Sequence, residues 1–157
     1  MPQEERPNIE TRAGQEQLRQ MGIKPLPQPD SLTAPYWEAA RRHELVIQRC
    51  SSCAAYQHPP FDYCRSCEGT QLEWTPISGR GTVYSFIVDH RLMVPGFTEP
   101  YVVAQVRPVE AQTDLVRITT NIRGCEPAAV YIGMPVEVVF EDVRDDTTLP
   151  QFRAVLP

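Results

Sequence analysis

The chain is predicted to be mainly β: an N-terminal helical segment, a small metal-clamped ribbon and a C-terminal five-stranded barrel. Three observations predict this. Four cysteines fall in two matching knuckles, Cys50, Cys53, Cys64 and Cys67, spaced C-x2-C-x10-C-x2-C. After Pro76 the apolar residues alternate with polar ones at a period of two, the strand period, and keep it to the end of the chain. Sixteen prolines in 157 residues punctuate the sequence between modules and at strand ends, so there is little room for long helices.

The elements follow in order. Residues 1–30 form an arm and a proline-rich linker: Asn8 to Met21 is polar, with Ile9, Leu18 and Met21 as its large apolar side chains, and reads as a weak helix or a disordered arm. Proline alternates with other residues through 24–30, which forbids a helix or a strand ladder and favours an extended polyproline conformation. Residues 31–76 hold a helix and the ribbon. The helix starts at Thr33 as N-cap with Pro35 in its first turn, and Trp37, Ala40 and the following Leu45 share an apolar face. Leu45 to Arg49, β-branched and short, is the strand entering the first knuckle; Ala55 to His58 and Gln71 to Thr75 follow the two knuckles as strands. Residues 77–157 hold five more strands: Gly79 to His90, Pro100 to Arg107, Asp114 to Thr120, Met134 to Glu141 and Gln151 to Val155. Gly81 relieves curvature in the long first one, and a helical turn around Pro127 to Tyr131 lies between the third and fourth. A small closed Greek-key barrel fits this spacing, and the OB-fold is its best-known form.

The knuckles carry the clearest chemistry. Zinc takes four thiolates at about 2.3 Å in a tetrahedron, and a two-residue spacer lets one tight turn supply two of them. Ten residues between the knuckles suffice for an antiparallel excursion and return, which is a zinc ribbon. The alternatives are two disulfides, a redox-active pair or an iron site; paired knuckles of matching spacing weigh against all three. A site closed by four thiolates has no open position, so Zn2+ here is expected to be structural and not a Lewis acid. Cys125, the fifth cysteine, sits at a turn without a knuckle partner and reads as a small half-buried residue.

Composition excludes several classes. Fifteen Lys plus Arg against twenty Asp plus Glu leaves a net charge of -5, with Lys24 the sole lysine. No basic field is available for a nucleic-acid backbone, so nucleic acid is not an expected partner. No run of about twenty apolar residues suggests a membrane span. Met1 to Asp30 has no apolar core and carries Glu4 and Glu5 where a signal peptide would be basic, so a cytoplasmic location is expected, where thiols stay reduced and bind metal.

Taken in order, the Tyr36-Trp37 helix, the strand to Arg49, the two knuckles around an aromatic-proline loop, Gly79-Arg80-Gly81-Thr82-Val83-Tyr84-Ser85-Phe86, Pro95-Gly96-Phe97, Pro100-Tyr101-Val102-Val103-Ala104 and Gly133-Met134-Pro135-Val136-Glu137-Val138 resemble the domain-of-unknown-function 35 family. That family joins a rubredoxin-like zinc ribbon to an acyl-CoA-associated OB-fold, and the resemblance covers Ser31 to Pro157. It implies a non-catalytic accessory subunit that partners a thiolase-fold protein, as a heteromer of two plus two chains. Such complexes act on acyl-CoA thioesters, as retro-aldolases that cleave steroid side chains or as thiolases of aromatic-compound degradation. A stand-alone acyl-CoA-binding protein is the other form the resemblance allows. It carries over the four cysteines as metal ligands and no catalytic residue.

The residues agree with that restraint. His43, His58 and His90 lie in three separate elements, whereas general acid-base chemistry needs convergent groups. His43 reads as a helix-end cap or a solvated side chain, and His58 as a stacking residue in the ribbon loop. His90 ranks first for any catalytic contribution, although neighbours on a strand such as Asp89 and His90 point to opposite faces. The loop 91–98, with Leu92, Met93, Val94 and Phe97, is a candidate partner contact or a cover for the barrel end. The proline strap with the Tyr36-Trp37 helix is a second. Arg80, Arg91 and Arg123 are candidates for the phosphates of CoA or for ordinary solvation.

Overall fold

A computed structural model of the chain describes residues 11–21, 24–91, 96–97, 99–111 and 116–155. The chain divides into two units, residues 1–28 with 88–101, and residues 29–87 with 102–157.

In the first unit Arg12–Met21 is a helix, α1, and residues 24–28 have no regular structure, as their prolines require. Phe97 stacks on Tyr101 with ring centroids 3.8 Å apart, the Lys24 ammonium lies 4.4 Å over Phe97, and the Tyr101 hydroxyl donates to Asp89 at 3.0 Å.

The second unit begins with helix α2, Ala34–Arg41. Thr33 is its N-cap residue, as expected, but its side chain accepts no helix N–H. Its hydroxyl instead donates to the Asp30 carboxylate at 2.6 Å, and that carboxylate accepts the Thr33 N–H at 2.7 Å. The turn starts at Asp30, whose carbonyl accepts the Ala34 N–H, so Thr33 is already inside it. The buried face is Tyr36, Ala39 and Ala40 followed by Leu45, with Trp37 only half-buried; the apolar stripe is rotated by one residue from the expected one.

Three antiparallel strands build the ribbon sheet in the order β2-β1-β3: β1 is Val46–Cys50, β2 Tyr56–Gln57 and β3 Leu72–Pro76. Gln48 faces Gln57 on one side and Trp74 on the other.

Five further strands close a barrel in the order β4-β5-β6-β8-β7. They are β4 Arg80–Asp89, β5 Tyr101–Pro108, β6 Ile118–Arg123, β7 Pro135–Arg144 and β8 Thr147–Ala154. The β6–β8 contact is parallel and the β5–β6, β7–β8 and β4–β7 contacts antiparallel. This is an OB-fold barrel. Its core is Val83, Val102, Ala104, Val106, Ile118, Ile122, Val136 and Phe152, all buried. Gly81 is needed because a Cβ there would lie 2.6 Å from the Arg107 carbonyl oxygen, so β4 and β5 approach closely where the barrel bends.

Most strand ends shift by a residue from expectation, β2 is trimmed to Tyr56–Gln57, and the larger differences lie in the barrel. β6 starts at Ile118 and runs on to Arg123, since Ile122 fills the core and Asn121 donates its side-chain N–H to the Val102 carbonyl at 2.9 Å; Asp114 and Leu115 lie outside the described residues. β7 and β8 are longer than expected and form one hairpin, because the pairing continues past the barrel from Phe140↔Pro150 to Arg144↔Thr147 with a bulge between Asp142 and Arg144. The turn between β6 and β7 is a short 3-10 segment, Pro127–Ala129. Among the described residues no helix is long and apolar enough to cross a membrane.

Candidate metal centre

β1 delivers Cys50 at its end, and the chain turns at once, with the Ala54 N–H donating to the Cys50 carbonyl and the Cys50 N–H to that of Ala55, both at 2.9 Å. The second knuckle repeats this: Glu68 N–H to the Cys64 carbonyl at 2.8 Å and Cys64 N–H to that of Gly69 at 2.7 Å. Ala54 and Glu68, each just past the second cysteine of its knuckle, share a φ of 61°. Two copies of one turn therefore face each other.

The four sulfurs converge, all within 4.8 Å of one another. Cys50 and Cys67 Sγ are 3.7 Å apart, Cys53 and Cys64 Sγ 3.6 Å. A tetrahedron with metal–sulfur bonds of about 2.3 Å has edges of about 3.8 Å, so the spacing fits one ion. All four are free thiols, which sets the disulfide alternative aside. Cys50 and Cys64 are buried and Cys53 and Cys67 exposed.

Electrostatics asks for a cation. The backbone N–H of Cys53, against burial and with help from the Ser52 N–H and the Cys67 thiol, lowers Cys50 to about 6, so it ionises readily. At Cys67 the Gly69 N–H pulls the pKa down, but the thiols of Cys53 and Cys50 outweigh it and push the group up to about 12. Sulfurs this close cannot all carry charge unless a positive ion sits among them. Four-thiolate coordination saturates a zinc ion, so what it would supply is folding energy and no reactive position.

Sequence reasoning missed the residues behind the ligands. Gln48 and Gln57 are buried, at 4% and 1% exposure, and their side chains bond to each other and to the chain that leads into and out of Cys64. A polar residue directly after the apolar run Leu45-Val46-Ile47 was the available signal.

The other candidates are scattered. His43 follows α2 at a φ of 58°, stacks on Phe140 at 5.2 Å and holds Asp142 through Nε2 at 3.0 Å. Asp142 is lowered by the Thr148 hydroxyl and then by His43. His58 packs on Tyr36 at 5.3 Å, and burial pushes it down to about 4. His90 is exposed. Burial, then the Glu126 charge, raises the Cys125 thiol, which leaves it a poor nucleophile. Arg123 pairs with Glu141 at 3.9 Å, and Arg80 is exposed. Of the loop 91–98, residues 92–95 and Thr98 lie outside the described residues.

Residues 37–73 match the rubredoxin-like zinc ribbon domain of ChsH2, and residues 74–141 its C-terminal OB-fold domain. A DUF35 domain-containing scaffold protein of Methanocaldococcus jannaschii is 35% identical over 130 residues, 80% of this chain and 88% of that protein. The chain belongs to the DUF35 family. The solved structure of the Ltp2-ChsH2(DUF35) aldolase is similar to this DUF35 chain at 38% identity and a TM-score of 0.75, covering 83% of this chain and 99% of that one. The 3-oxo-4,17-pregnadiene-20-carboxyl-CoA hydratase alpha subunit of Mycobacterium tuberculosis is 40% identical over 113 residues, 72% of this chain. This DUF35 chain spans only 35% of that protein's length.

Proposed function

We propose that this chain is a non-catalytic, zinc-binding accessory subunit of a thiolase-fold acyl-CoA enzyme, a retro-aldolase acting on a steroid side-chain acyl-CoA in the cytoplasm. The observation that carries the proposal is the likeness to the DUF35 chain of the Ltp2-ChsH2 aldolase, which extends over nearly the whole of that chain. The pregnadiene carboxyl-CoA of the mycobacterial relative's name supports a steroid substrate for the complex. In this reading Cys50, Cys53, Cys64 and Cys67 hold one Zn2+ as a clamp, and the partner supplies the catalytic groups. The separation of His43, His58 and His90 among three elements supports that division of labour. The acidic balance of the chain supports a protein partner over nucleic acid.

The test is co-expression with the thiolase-like protein encoded nearest to it, followed by size-exclusion chromatography with light scattering. A stable heteromer, two plus two in the simplest symmetric case, with acyl-CoA cleavage present only in the complex, is the expected result. Two independent monodisperse proteins would overturn the proposal.

A further inference from the structure

We infer that Gln48 and Gln57, whose side chains bond to each other and to backbone groups around Cys64, position Cys64 and thereby set the metal affinity of the ribbon. The inference rests on the proposal that the four cysteines hold zinc. Residues 60–63 cross the ribbon without belonging to any strand, so their backbone groups have no ladder partner, and burying such groups unpaired is costly. The two glutamines supply the missing ladder. Gln48 Oε1 accepts the Phe61 N–H at 2.9 Å, and its Nε2 donates to the Phe61 carbonyl at 3.1 Å. Gln57 Nε2 donates to the Tyr63 carbonyl at 3.0 Å, and its Oε1 accepts the Arg65 N–H at 2.9 Å. Phe61, Tyr63 and Arg65 are thus each held through a backbone group by one of the two glutamine side chains.

Cys64 is the residue between the last two grips. Fixing the peptide on both sides of it leaves little but the χ1 rotation to place Sγ, which lies 3.6 Å from Cys53 Sγ. The grip is itself held in register. Gln48 and Gln57 are cross-strand partners in β1 and β2, and Gln57 Nε2 also donates to Gln48 Oε1 at 2.9 Å. The two strands that flank the first knuckle therefore dictate where the second knuckle puts its buried ligand. Outer partners of metal ligands typically change affinity by about 10- to 100-fold when removed.

Zinc affinity of the full chain, measured by competition with a chromogenic chelator, and the absorption spectrum of the cobalt(II)-loaded protein test this. Gln57→Leu keeps the volume and removes three hydrogen bonds. Its expected result is one zinc per chain at saturation, an affinity lower by about 10- to 100-fold, and weakened tetrahedral cobalt bands. Gln57→Glu keeps the acceptor for Arg65 but sets a carboxylate oxygen against the Tyr63 carbonyl, and is expected to lose at least as much. Glu73→Ala, at an exposed site on β3, is expected to match wild type. Wild-type affinity, within about twofold, in either Gln57 variant overturns the inference; if the Gln57→Leu chain is too unstable to assay, the affinity of Gln57→Glu decides. A wild-type chain that binds no zinc overturns the zinc proposal instead.

Discussion

Buried and neutral in the folded chain, His58 is expected to make stability sensitive to mild acid. Its ring is buried against Tyr36, and its Nδ1 has no hydrogen-bond partner among the described residues, so the charged form is poorly accommodated and burial lowers the pKa to about 4. In the unfolded chain the same imidazole titrates near an ordinary value of about 6.5. Between these two pH values the unfolded state binds the extra proton, so stability falls as the pH drops through the window and is unaffected above it. At about 1.36 kcal/mol per pKa unit, the loss is about 1.4 kcal/mol by pH 5.5, about 2 kcal/mol by pH 5 and about 3 kcal/mol below pH 4. The assay is urea unfolding of wild type and His58→Phe between pH 7.5 and 5. Phenylalanine keeps a ring against Tyr36 but does not titrate, and carboxylates and metal-linked protons cancel in the difference. The expected result is a stability difference that moves toward the variant by about 2 kcal/mol across that range. Parallel pH dependences for the two proteins would refute the buried-neutral account of His58.

Cys50→Ser is expected to release zinc and melt the ribbon, because metal binding in so small a module is folding energy; metal content and far-ultraviolet dichroism check it, and retained stoichiometric zinc would contradict the four-thiolate clamp. Phe152→Ala removes the largest fully buried side chain and should cost about 3–5 kcal/mol, read as a lower denaturation midpoint with the zinc content unchanged. Gly81→Ala drives a methyl to within 2.6 Å of the Arg107 carbonyl oxygen, a clash with backbone that cannot swing away, and should lower the thermal midpoint by more than an alanine substitution at the exposed Arg80.

The metal centre and the barrel were legible because both rest on strong local rules. Ligand spacing fixes the knuckles, and a period of two fixes the strands. What stayed hidden depends on pairing across the fold. The β7–β8 hairpin continues to Arg144 because each strand supplies the other's ladder; Val143, Thr147 and Thr148 favour strand, but the Asp145-Asp146 turn between them reads in sequence as the end of an element. The side-chain cap at α2 is missing for a similar reason: the Thr33 hydroxyl oxygen accepts the Asp30 N–H at 3.0 Å, while Asp30 accepts the Thr33 N–H, so the two residues pair with each other ahead of the helix. The glutamine grip needed register, since Gln48 and Gln57 matter only because β1 and β2 place them opposite each other.

Register also explains how a zinc ion held as a structural clamp, as proposed above, would matter to the barrel. The ribbon loop does not hang free: His58, one residue beyond β2, makes a parallel backbone bridge to Val116 just ahead of β6, its ring lies on Tyr36 of α2, and α2 packs on β8. A continuous path therefore runs from Cys64 through Gln57 to His58 and on to β6, each step a hydrogen bond or a backbone link. Loss of zinc is expected to loosen that path from the ribbon end. Hydrogen exchange with and without a chelator would show it as lost protection at residues 56–65 and at Val116, with the β7–β8 pairing around Val138↔Phe152 unchanged. Uniform loss across the barrel would mean instead that ribbon and barrel unfold as one cooperative unit, and unchanged exchange at Val116 would mean that the bridge transmits nothing.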